Sequence, residues 1–565
     1  MKMIAIRRHI HISAFGLVMA AQLLHAQTTM PGMSHDMPRD SAAAPVLGVI
    51  DFPTKANAAS HSAFIRGVLL MHNFHYPRAA VAFQEAERLD PTDVMGYWGE
   101  AMTYSHPVWN QQDADAARAV LKKLGKTWDV RRKLARDEKE RQWLETAEIL
   151  YAPSGTKAER DTAWSAAMAA LHASDPGDDE ATTFYALSLL GLNQGDREAV
   201  AYQKAYELVL PIFRSHPKHP GAAHYLIHAT DDPSHAALGL DAANAYASIA
   251  PSAAHAIHMT SHIFLALGKW DEMVDANRRA RGTGPLLGGH VSIWLEYGLI
   301  QQGRYREADV LLDSMVNQAR TVTVRKPESW DAAGLMAGAN LADTKRWTGH
   351  ARDIRVDTTG FIANGSPDAF GDLAAAEFGE ALGLLKRGDT TEVKRIMWSM
   401  FERRMAAASN PLMANAAAMT DVLLTSLQGH VLEILGDSVG ALGLFRQAAD
   451  SEAKLPMPFG PTMTIKPPRE AAGELLLAMG KPADARTEFQ MAEARTPRRT
   501  AVLVGLARSE WALGNRIAAR KIYRELVMIW HAADTEFQER VEALERSRYV
   551  DPSELVPLRR GAPIL

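Results

Sequence analysis

The chain has 565 residues, with 62 lysines and arginines, 66 aspartates and glutamates, and 21 histidines. This length exceeds what one core usually contains, so several domains or an extended array of repeats is expected. The formal charge of −4 gives no reason to expect a nucleic-acid partner or a membrane-surface role. Because the sequence contains no cysteine, disulfides, thiolate zinc sites and cysteine nucleophiles are excluded.

Residues 1–26 have the pattern of a secretory signal peptide. Arg7 and Arg8 precede an apolar segment from Ile12 to Leu24, and Ala26 supplies a small residue for cleavage. The apolar segment is short for a transmembrane helix, although an uncleaved anchor is the alternative. No other long apolar run follows. The sequence therefore predicts a periplasmic or secreted protein without stable membrane insertion after cleavage of the signal.

Residues 27–57 are predicted to form a flexible leader, because large apolar residues are scarce there. Met30, Met33, His35 and Met37 form a small cluster within it. Thioethers together with an imidazole can hold Cu(I), so this leader could act as a metal-transfer arm. The alternative is a plain disordered linker.

The rest of the chain is periodic and rich in residues that favour helix. Near the C-terminus, one unit contains Gly480, Ala485, Phe489, Ala492 and Pro497. The next contains Gly514, Ala519, Tyr523 and Leu526, and Gly514 follows Gly480 by one 34-residue period. This pattern resembles tetratricopeptide repeats, in which the glycine ends the first helix and the proline ends the second. The resemblance implies an all-α fold: a tetratricopeptide-like helical-repeat solenoid, a superhelix of antiparallel helix pairs.

The repeat pattern also predicts the domain organisation. Each unit is expected to bury its apolar faces only against its neighbours, with the first helix of each pair lining a concave face. After the leader we predict an N-terminal array with a histidine-rich groove at 58–310, divergent helical repeats at 311–465, a C-terminal repeat pair at 466–535, and a helix end and tail at 536–565.

Five histidines fall at matching places on two successive predicted helices. His224 and His228 are spaced i, i+4, while His255, His258 and His262 are spaced i, i+3, i+7. Both spacings place imidazoles on one helix face. Numbering each repeat with its turn glycine as position 15 puts these histidines at positions 5 and 9, then 2, 5 and 9. In tetratricopeptide repeats these positions point into the concave groove, so the histidines are predicted to form one patch there.

Converging neutral imidazoles are typical ligands of zinc, copper or iron, so a transition metal is the predicted cofactor. His290, at position 2 of the next repeat, could add a ligand. Asp231, Asp232 and Glu296 could each be a further ligand or orient the imidazoles. Because Ile257 and Phe264 occupy the opposite helix face and are expected to pack, the imidazoles need not be core residues.

Several functions remain open for this histidine patch. HYLIH at 224–228 lacks the glutamate of HExxH, which weakens a metalloprotease hypothesis sharply. The favoured prediction is an exported scaffold whose groove binds a protein or peptide and carries a metal site. The alternatives are a metal-free adaptor, a metal storage or delivery protein, and a metal-dependent hydrolase or oxidoreductase with Glu296, Asp231 or Glu100 as base.

A fainter set of histidines and aromatic residues lies in the first predicted repeat. These residues either pack large rings in a capping repeat or close one end of the same groove. They are His61, His72, His75 and His106, with Tyr97, Trp98, Glu100 and Tyr104.

Four segments, MHNFHYPRA, YWGEAMTYSHPVW, PGAAHYLIHATDDP and HMTSHIFLALGKW, together resemble a group of exported bacterial tetratricopeptide proteins without assigned activity. The resemblance spans about residues 58–310. It implies a helical-repeat fold and suggests that the histidine positions belong to a shared feature, but it names no substrate.

Overall fold

The computed structural model describes residues 45–192, 199–283, 288–321, 327–348, 351, 354, 367–410, 413–457 and 459–548. The predicted signal peptide, the Met/His cluster of the leader and the tail from Asp551 lie outside these residues.

Helices dominate the described residues, and the predicted all-α repeat fold is confirmed. The helices that lead to the histidines are α1 (Ala58–His72), α2 (Tyr76–Leu89), α3 (Val94–Met102), α4 (Ala114–Leu124), α5 (Trp128–Arg131), α6 (Glu138–Leu150), α7 (Lys157–Ser174), α8 (Asp179–Leu190), α9 (Ala199–Ser215), α10 (Pro220–Thr230), α11 (Leu240–Ile249), α12 (Ala254–Ala266), α13 (Trp270–Gly282) and α14 (Gly288–Gln301).

Eleven further helices follow: α15 (Tyr305–Thr321), α16 (Pro327–Thr344), α17 (Pro367–Lys386), α18 (Thr390–Ala407), α19 (Ala414–Ile434), α20 (Ser438–Glu452), α21 (Pro468–Ala478), α22 (Pro482–Arg495), α23 (Thr500–Ala512), α24 (Arg516–Ile529) and α25 (Gln538–Ser547). Two short strands, β1 (Ser105–His106) and β2 (Gln111–Gln112), pair antiparallel.

Small residues let the paired helices approach closely, as the repeat pattern predicts. A Cβ atom added at Gly67 of α1 would lie only 2.6 Å from the ring of Phe83 on α2. A Cβ atom at Gly473 of α21 would likewise lie 2.7 Å from Phe489 on α22. The same two rings also press on glycines of α3 and α23. Each ring therefore fills the space between the first helices of two repeats. Any side chain larger than glycine at these positions would push those helices apart.

Turn glycines end the first helices around the histidines. Gly268 follows α12 with φ +62°, and Gly303 follows α14 with φ +67°. Glycine adopts this left-handed conformation without the strain that a Cβ atom would introduce. The chain can therefore reverse within a few residues, so that α13 returns along α12 and α15 along α14. The first helices of consecutive repeats then lie side by side.

The last part of the predicted flexible leader, residues 45–57, is packed against the repeats. Leu47 and Phe52 are buried, and the Val49 N–H donates a 2.9 Å hydrogen bond to the Lys218 carbonyl. The Phe52 ring lies 5.0 Å from Phe64 and 4.9 Å from Trp143, centroid to centroid. Burial of these two apolar side chains, together with hydrogen bonds to the repeats, holds this segment in place.

The C-terminal repeats contact the middle of the chain, so the expectation that each unit packs only against its neighbours is wrong. The Arg499 guanidinium, fully buried, donates to Asp343 at 3.0 Å and to Glu470 at 2.7 Å. The Trp530 indole N–H donates to the Gln301 carbonyl at 2.9 Å. The Arg499–Asp343 ion pair and the Trp530–Gln301 hydrogen bond join residues that are about 150–230 positions apart in the sequence. A repeat period does not predict contacts between such distant residues, so the sequence pattern could not show them.

None of the helices in the described ranges combines the length and the apolar character needed to cross a membrane.

Candidate metal centre

Three helices, α10, α12 and α14, carry the histidines of the site. Their six imidazoles divide into two sets, and in each set one nitrogen per residue lies within 4.8 Å of the others. The structure thus brings the five predicted ligands together with the sixth candidate, but as two sets instead of one patch. We call them the inner triad, His224, His228 and His255, and the outer triad, His258, His262 and His290.

The inner triad lies between α10, α12 and the residues that follow α1. His224 Nε2 and His255 Nε2 are 3.2 Å apart. The Phe74 ring lies 4.2 Å from the His224 ring and 5.4 Å from the His255 ring. Trp109, in the loop between β1 and β2, lies 5.8 Å from the His255 ring. Aromatic rings therefore wall off these imidazoles from solvent.

The outer triad lies between α12 and the start of α14. His258 Nε2 is 3.3 Å from His262 Nε2 and 3.0 Å from His290 Nε2. Trp294 contacts all three rings, with centroids 4.3 Å from His262, 5.1 Å from His258 and 5.7 Å from His290. Unlike the other five histidines, His290 is exposed as a residue, although partial burial of its ring lowers its pKa to about 3.

In three of these histidines, Nδ1 lies within hydrogen-bond distance of an oxygen acceptor. His224 Nδ1 lies 2.6 Å from the His72 carbonyl, His258 Nδ1 lies 2.7 Å from Asn277 Oδ1, and His262 Nδ1 lies 3.0 Å from Asp231 Oδ2. Carbonyl and carboxylate oxygens only accept hydrogen bonds, so each of these Nδ1 atoms must carry a proton. In the neutral ring, Nε2 is then unprotonated, and its lone pair is directed into the triad.

The amide of Asn277 is itself oriented. Its Nδ2 donates to the Met273 carbonyl at 2.9 Å, which leaves Oδ1 to accept from His258. Asp231 serves both triads, because the oxygen that accepts from His262 also lies 3.5 Å from His228 Nδ1. Histidines that bind metals typically donate their second nitrogen to such oxygens, which fixes the tautomer and the ring orientation.

Burial keeps several of these imidazoles neutral. Loss of hydration on burial lowers the pKa of His224, His255 and His258 well below the ordinary value of 6.5. Neighbouring imidazoles lower these pKa values further, because a second positive charge nearby is unfavourable. These three rings are therefore neutral at neutral pH, with one nitrogen unprotonated, which is the state in which imidazole binds a metal.

The histidines are predicted to point into the concave groove, but the structure buries most of them instead of leaving them on an exposed groove surface. Five of the six histidines have only 0–7 % of their surface exposed. The groove positions of the repeat are covered by Phe74 and Trp109, which come from distant parts of the chain, and by Trp294 of α14. Residue spacing along one helix predicts which face the histidines share, but not what covers that face.

Glu296, predicted as a ligand or base, lies among other partners. The Asn340 amide donates to it at 3.4 Å, and burial raises the pKa of its carboxyl group well above the ordinary value. Glu100, the second candidate base, pairs with Lys123 and accepts a 2.7 Å hydrogen bond from Gln84. Asp231 lies among the histidines, with Oδ2 3.0 Å from His262 Nδ1 and 3.5 Å from His228 Nδ1.

A third cluster joins His72 to two residues that the sequence analysis missed, Glu180 and His219. His72 Nε2 lies 2.8 Å from the Glu180 carboxylate, and His219 Nε2 lies 3.3 Å from it. Burial alone would raise the pKa of Glu180, but the two imidazoles lower it to about 2. The opposite nitrogens accept, His72 Nδ1 from the Tyr225 hydroxyl and His219 Nδ1 from the Ala222 N–H.

In this cluster both Nε2 atoms therefore carry protons. His72 donates its proton to the carboxylate, whereas His219 Nε2 lies 3.3 Å from it without the geometry of a hydrogen bond. A metal would have to displace both protons, so the arrangement fits a buried hydrogen-bond network better than a metal site. No sequence spacing could have indicated it, because its residues come from α1, α8 and the start of α10.

Most of the fainter N-terminal set belongs to packing. The His106 ring stacks 4.0 Å from Tyr76, His61 hydrogen-bonds Thr54 at 3.1 Å, and Trp98 packs 4.9 Å from Trp143. Tyr97, Tyr104 and His75 are also buried or half-buried. The end of α1 nevertheless reaches the inner triad through the His72 carbonyl, so both accounts of this set hold in part.

No protein-family model matches the chain, and no curated protein matches it. The human IFIT1 dimer with m7Gppp-AAAA is similar with a TM-score of 0.33 and 14% identity, over 85% of this chain and 92% of that chain. The Cut9–Hcn1 hetero-tetramer of the APC/C gives 0.29 and 13%, over 87% and 97%. These scores support no inference about function.

Proposed function

We propose that this chain is a tetratricopeptide-like scaffold that binds a transition metal through the histidines of α10, α12 and α14. One observation carries the proposal. His258 and His262 both donate their Nδ1 protons to oxygens, yet their Nε2 atoms face each other at 3.3 Å. Two lone pairs at that distance repel each other, and a cation bound to both relieves the repulsion.

The spacing also suits a shared ion. Two nitrogens each 2.0–2.1 Å from one tetrahedral zinc ion are about 3.3 Å apart. The facing nitrogens lie 3.2 Å apart in the inner triad, and 3.3 and 3.0 Å apart in the outer triad. The donors are imidazoles alone, and the chain has no cysteine, so zinc, copper or iron in an imidazole site is favoured.

The alternatives receive less support from the described residues. A metal-free adaptor would use the histidine face as an open peptide surface, whereas that face is buried. A hydrolase needs a base near the metal, but Glu296 and Glu100 have partners elsewhere and Asp231 is held by His262. Metal binding without an assigned reaction is therefore the function we propose.

We further propose that the protein is periplasmic or secreted and presents the rest of its repeat surface to a protein or peptide partner. The signal-like pattern of residues 1–26 supports export. Stacked repeats offer extended surfaces of the kind used in protein binding. Determining the N-terminus of the mature protein from fractionated cells tests the first point, since export with cleavage near Ala26 predicts a start at Gln27.

The test of metal binding is elemental analysis of protein purified without metal-affinity steps. The decisive variant carries His258→Gln and His262→Gln, since glutamine keeps most of the buried volume. His531→Ala, at an exposed histidine outside both triads, is the matched control. We expect a near-stoichiometric transition metal in the wild type and control, and loss from the variant with unchanged helical circular dichroism.

Metal-free wild-type protein that also fails to take up zinc or copper would refute the proposal. In that case a proton shared between the imidazoles, and not a metal, would relieve the repulsion between the two nitrogens.

A further inference from the structure

The two triads are the same arrangement built twice by the repeat. Each takes positions 5 and 9 of one first helix and position 2 of the next. His224 and His258 are 34 residues apart, as are His228 and His262, while His255 and His290 are 35 apart. The nitrogen contacts across the helices repeat as well, with 3.2 Å from His224 to His255 and 3.0 Å from His258 to His290.

We propose that each triad binds its own metal ion, so that the chain holds two ions of different accessibility. This inference rests on the proposed metal-binding function. A tetrahedral ion takes four ligands, so one ion would leave at least two of the six imidazoles unused. Two sites of three nitrogens use all six, and three protein ligands with one remaining position is a common arrangement for a metal that takes up water or a small ligand.

Ring distances favour the division into two sites. Between the triads, the His255 and His258 rings are 6.2 Å apart and the His228 and His262 rings are 6.0 Å apart. Within the triads, the rings of consecutive helices are closer, 5.0 Å from His224 to His255 and 4.8 Å from His258 to His290. Each position-2 histidine therefore belongs with the preceding helix, not with its own.

The two sites differ in their access to solvent. All three imidazoles of the inner triad are buried, and Phe74 packs against each of them. The outer triad has two buried members and the exposed His290. An ion in the outer triad can therefore exchange with chelators and accept a small ligand in its open position. An ion in the inner triad exchanges only when the surrounding packing opens.

Asp231 links the two sites. The same carboxylate oxygen lies 3.0 Å from Nδ1 of His262 in the outer triad and 3.5 Å from Nδ1 of His228 in the inner triad. One buried negative charge thus offsets part of the positive charge of both ions. The sites are unequal in access but share this residue.

The experiment counts the ions and times their removal. Wild-type chain is unfolded with chelator, refolded with excess zinc, desalted, and analysed for bound zinc. Zinc release to a coloured chelator is then followed over time. We expect two equivalents in the wild type, one released quickly and one at least tenfold more slowly. His290→Ala should keep only the slow equivalent, and His255→Gln only the fast one.

His255→Gln is the informative inner variant, because among the described residues the His255 Nδ1 has no hydrogen-bond partner, so the substitution breaks no other bond of this side chain. If this variant does not refold, as judged by circular dichroism, His228→Gln replaces it. His531→Ala is the control for zinc held by surface histidines and should behave like the wild type.

The outcomes separate this inference from the function on which it rests. One equivalent in the wild type, lost in both variants, refutes two ions but leaves metal binding intact. No zinc at all refutes both. Two equivalents released in a single phase refute the difference in access. Two equivalents retained in the combined His255→Gln and His290→Ala variant place the zinc outside the triads and also refute the inference.

Discussion

Replacing Asp231 by asparagine tests how the histidines are held. Asparagine has nearly the same size, so it removes the negative charge and leaves an oxygen that can still accept from His262. The buried carboxylate accepts from His262 Nδ1 at 3.0 Å, whereas His228 Nδ1 lies at 3.5 Å, beyond a good hydrogen bond. The substitution should therefore weaken the outer triad more than the inner triad.

The size of the effect follows from the hydrogen bond that is changed. A hydrogen bond to a charged group contributes about 1.5–3 kcal/mol, and a neutral one about 0.5–1.5 kcal/mol. The midpoints of these ranges differ by about 1.3 kcal/mol, so we expect the outer triad to lose about eightfold in zinc affinity from this hydrogen bond. Loss of the charge itself adds to this, within the 10–100-fold range usual for residues that orient metal ligands.

The measurement is zinc competition against a coloured chelator at constant pH, with circular dichroism to confirm folding. Asp232→Asn is the matched control. It changes the neighbouring carboxylate, which accepts from the Ser234 N–H at 2.8 Å and pairs with His235. We expect the control to bind zinc like the wild type. Equal affinity in all three proteins, or equal loss in both variants, would refute the role assigned to Asp231.

Two further predictions concern residues outside the triads. Burial raises the pKa of Glu296, so the folded state binds the proton of this carboxyl group more tightly than the unfolded state. The stabilisation that the bound proton gives to the folded state is complete below pH 4.5 and is lost as the pH rises towards the folded pKa. Glu296→Gln should therefore gain stability relative to the wild type as the pH rises, by up to about 1.4 kcal/mol per pH unit in thermal unfolding, without losing zinc. Arg499→Met leaves the buried Asp343 without its cation and should lower the free energy of unfolding in urea by about 3–5 kcal/mol. Arg306→Ala, which breaks an exposed pair with Glu536, should cost less than about 1 kcal/mol; similar losses in both would contradict this view of the C-terminal contact.

The repeat architecture could be predicted because its signals are local and periodic. A glycine that ends a helix and a ring that packs between two glycines leave marks at fixed offsets, as Gly268 and Phe489 do. The histidine sets on α10 and α12 could be predicted for the same reason. Helical spacing decides which side chains share a face, and it is readable from the residue numbers alone.

Burial of that face could not be predicted in the same way. Trp109 comes from a hairpin loop more than 100 residues before the triads, and Phe74 follows α1. Neither position stands in a periodic relation to His224 or His255. The return of Arg499 onto Asp343 is likewise a contact over 156 residues. Such contacts depend on the curvature of the repeat array. That curvature is the sum of small rotations between successive repeats.

The grouping of the histidines shows which sequence signal matters. Spacing along α12 suggests that His255, His258 and His262 act together. The His255 ring, however, lies 5.0 Å from His224 on α10 and 6.2 Å from His258 on its own helix. Side chains of adjacent first helices meet because those helices lie side by side, and the repeat period brings equivalent positions to the same level. A pair at positions 5 and 9 therefore gains its third nitrogen from position 2 of the following repeat. The informative pattern is this 34-residue translation, seen from His224 to His258 and from His228 to His262, and not the i, i+4 spacing alone.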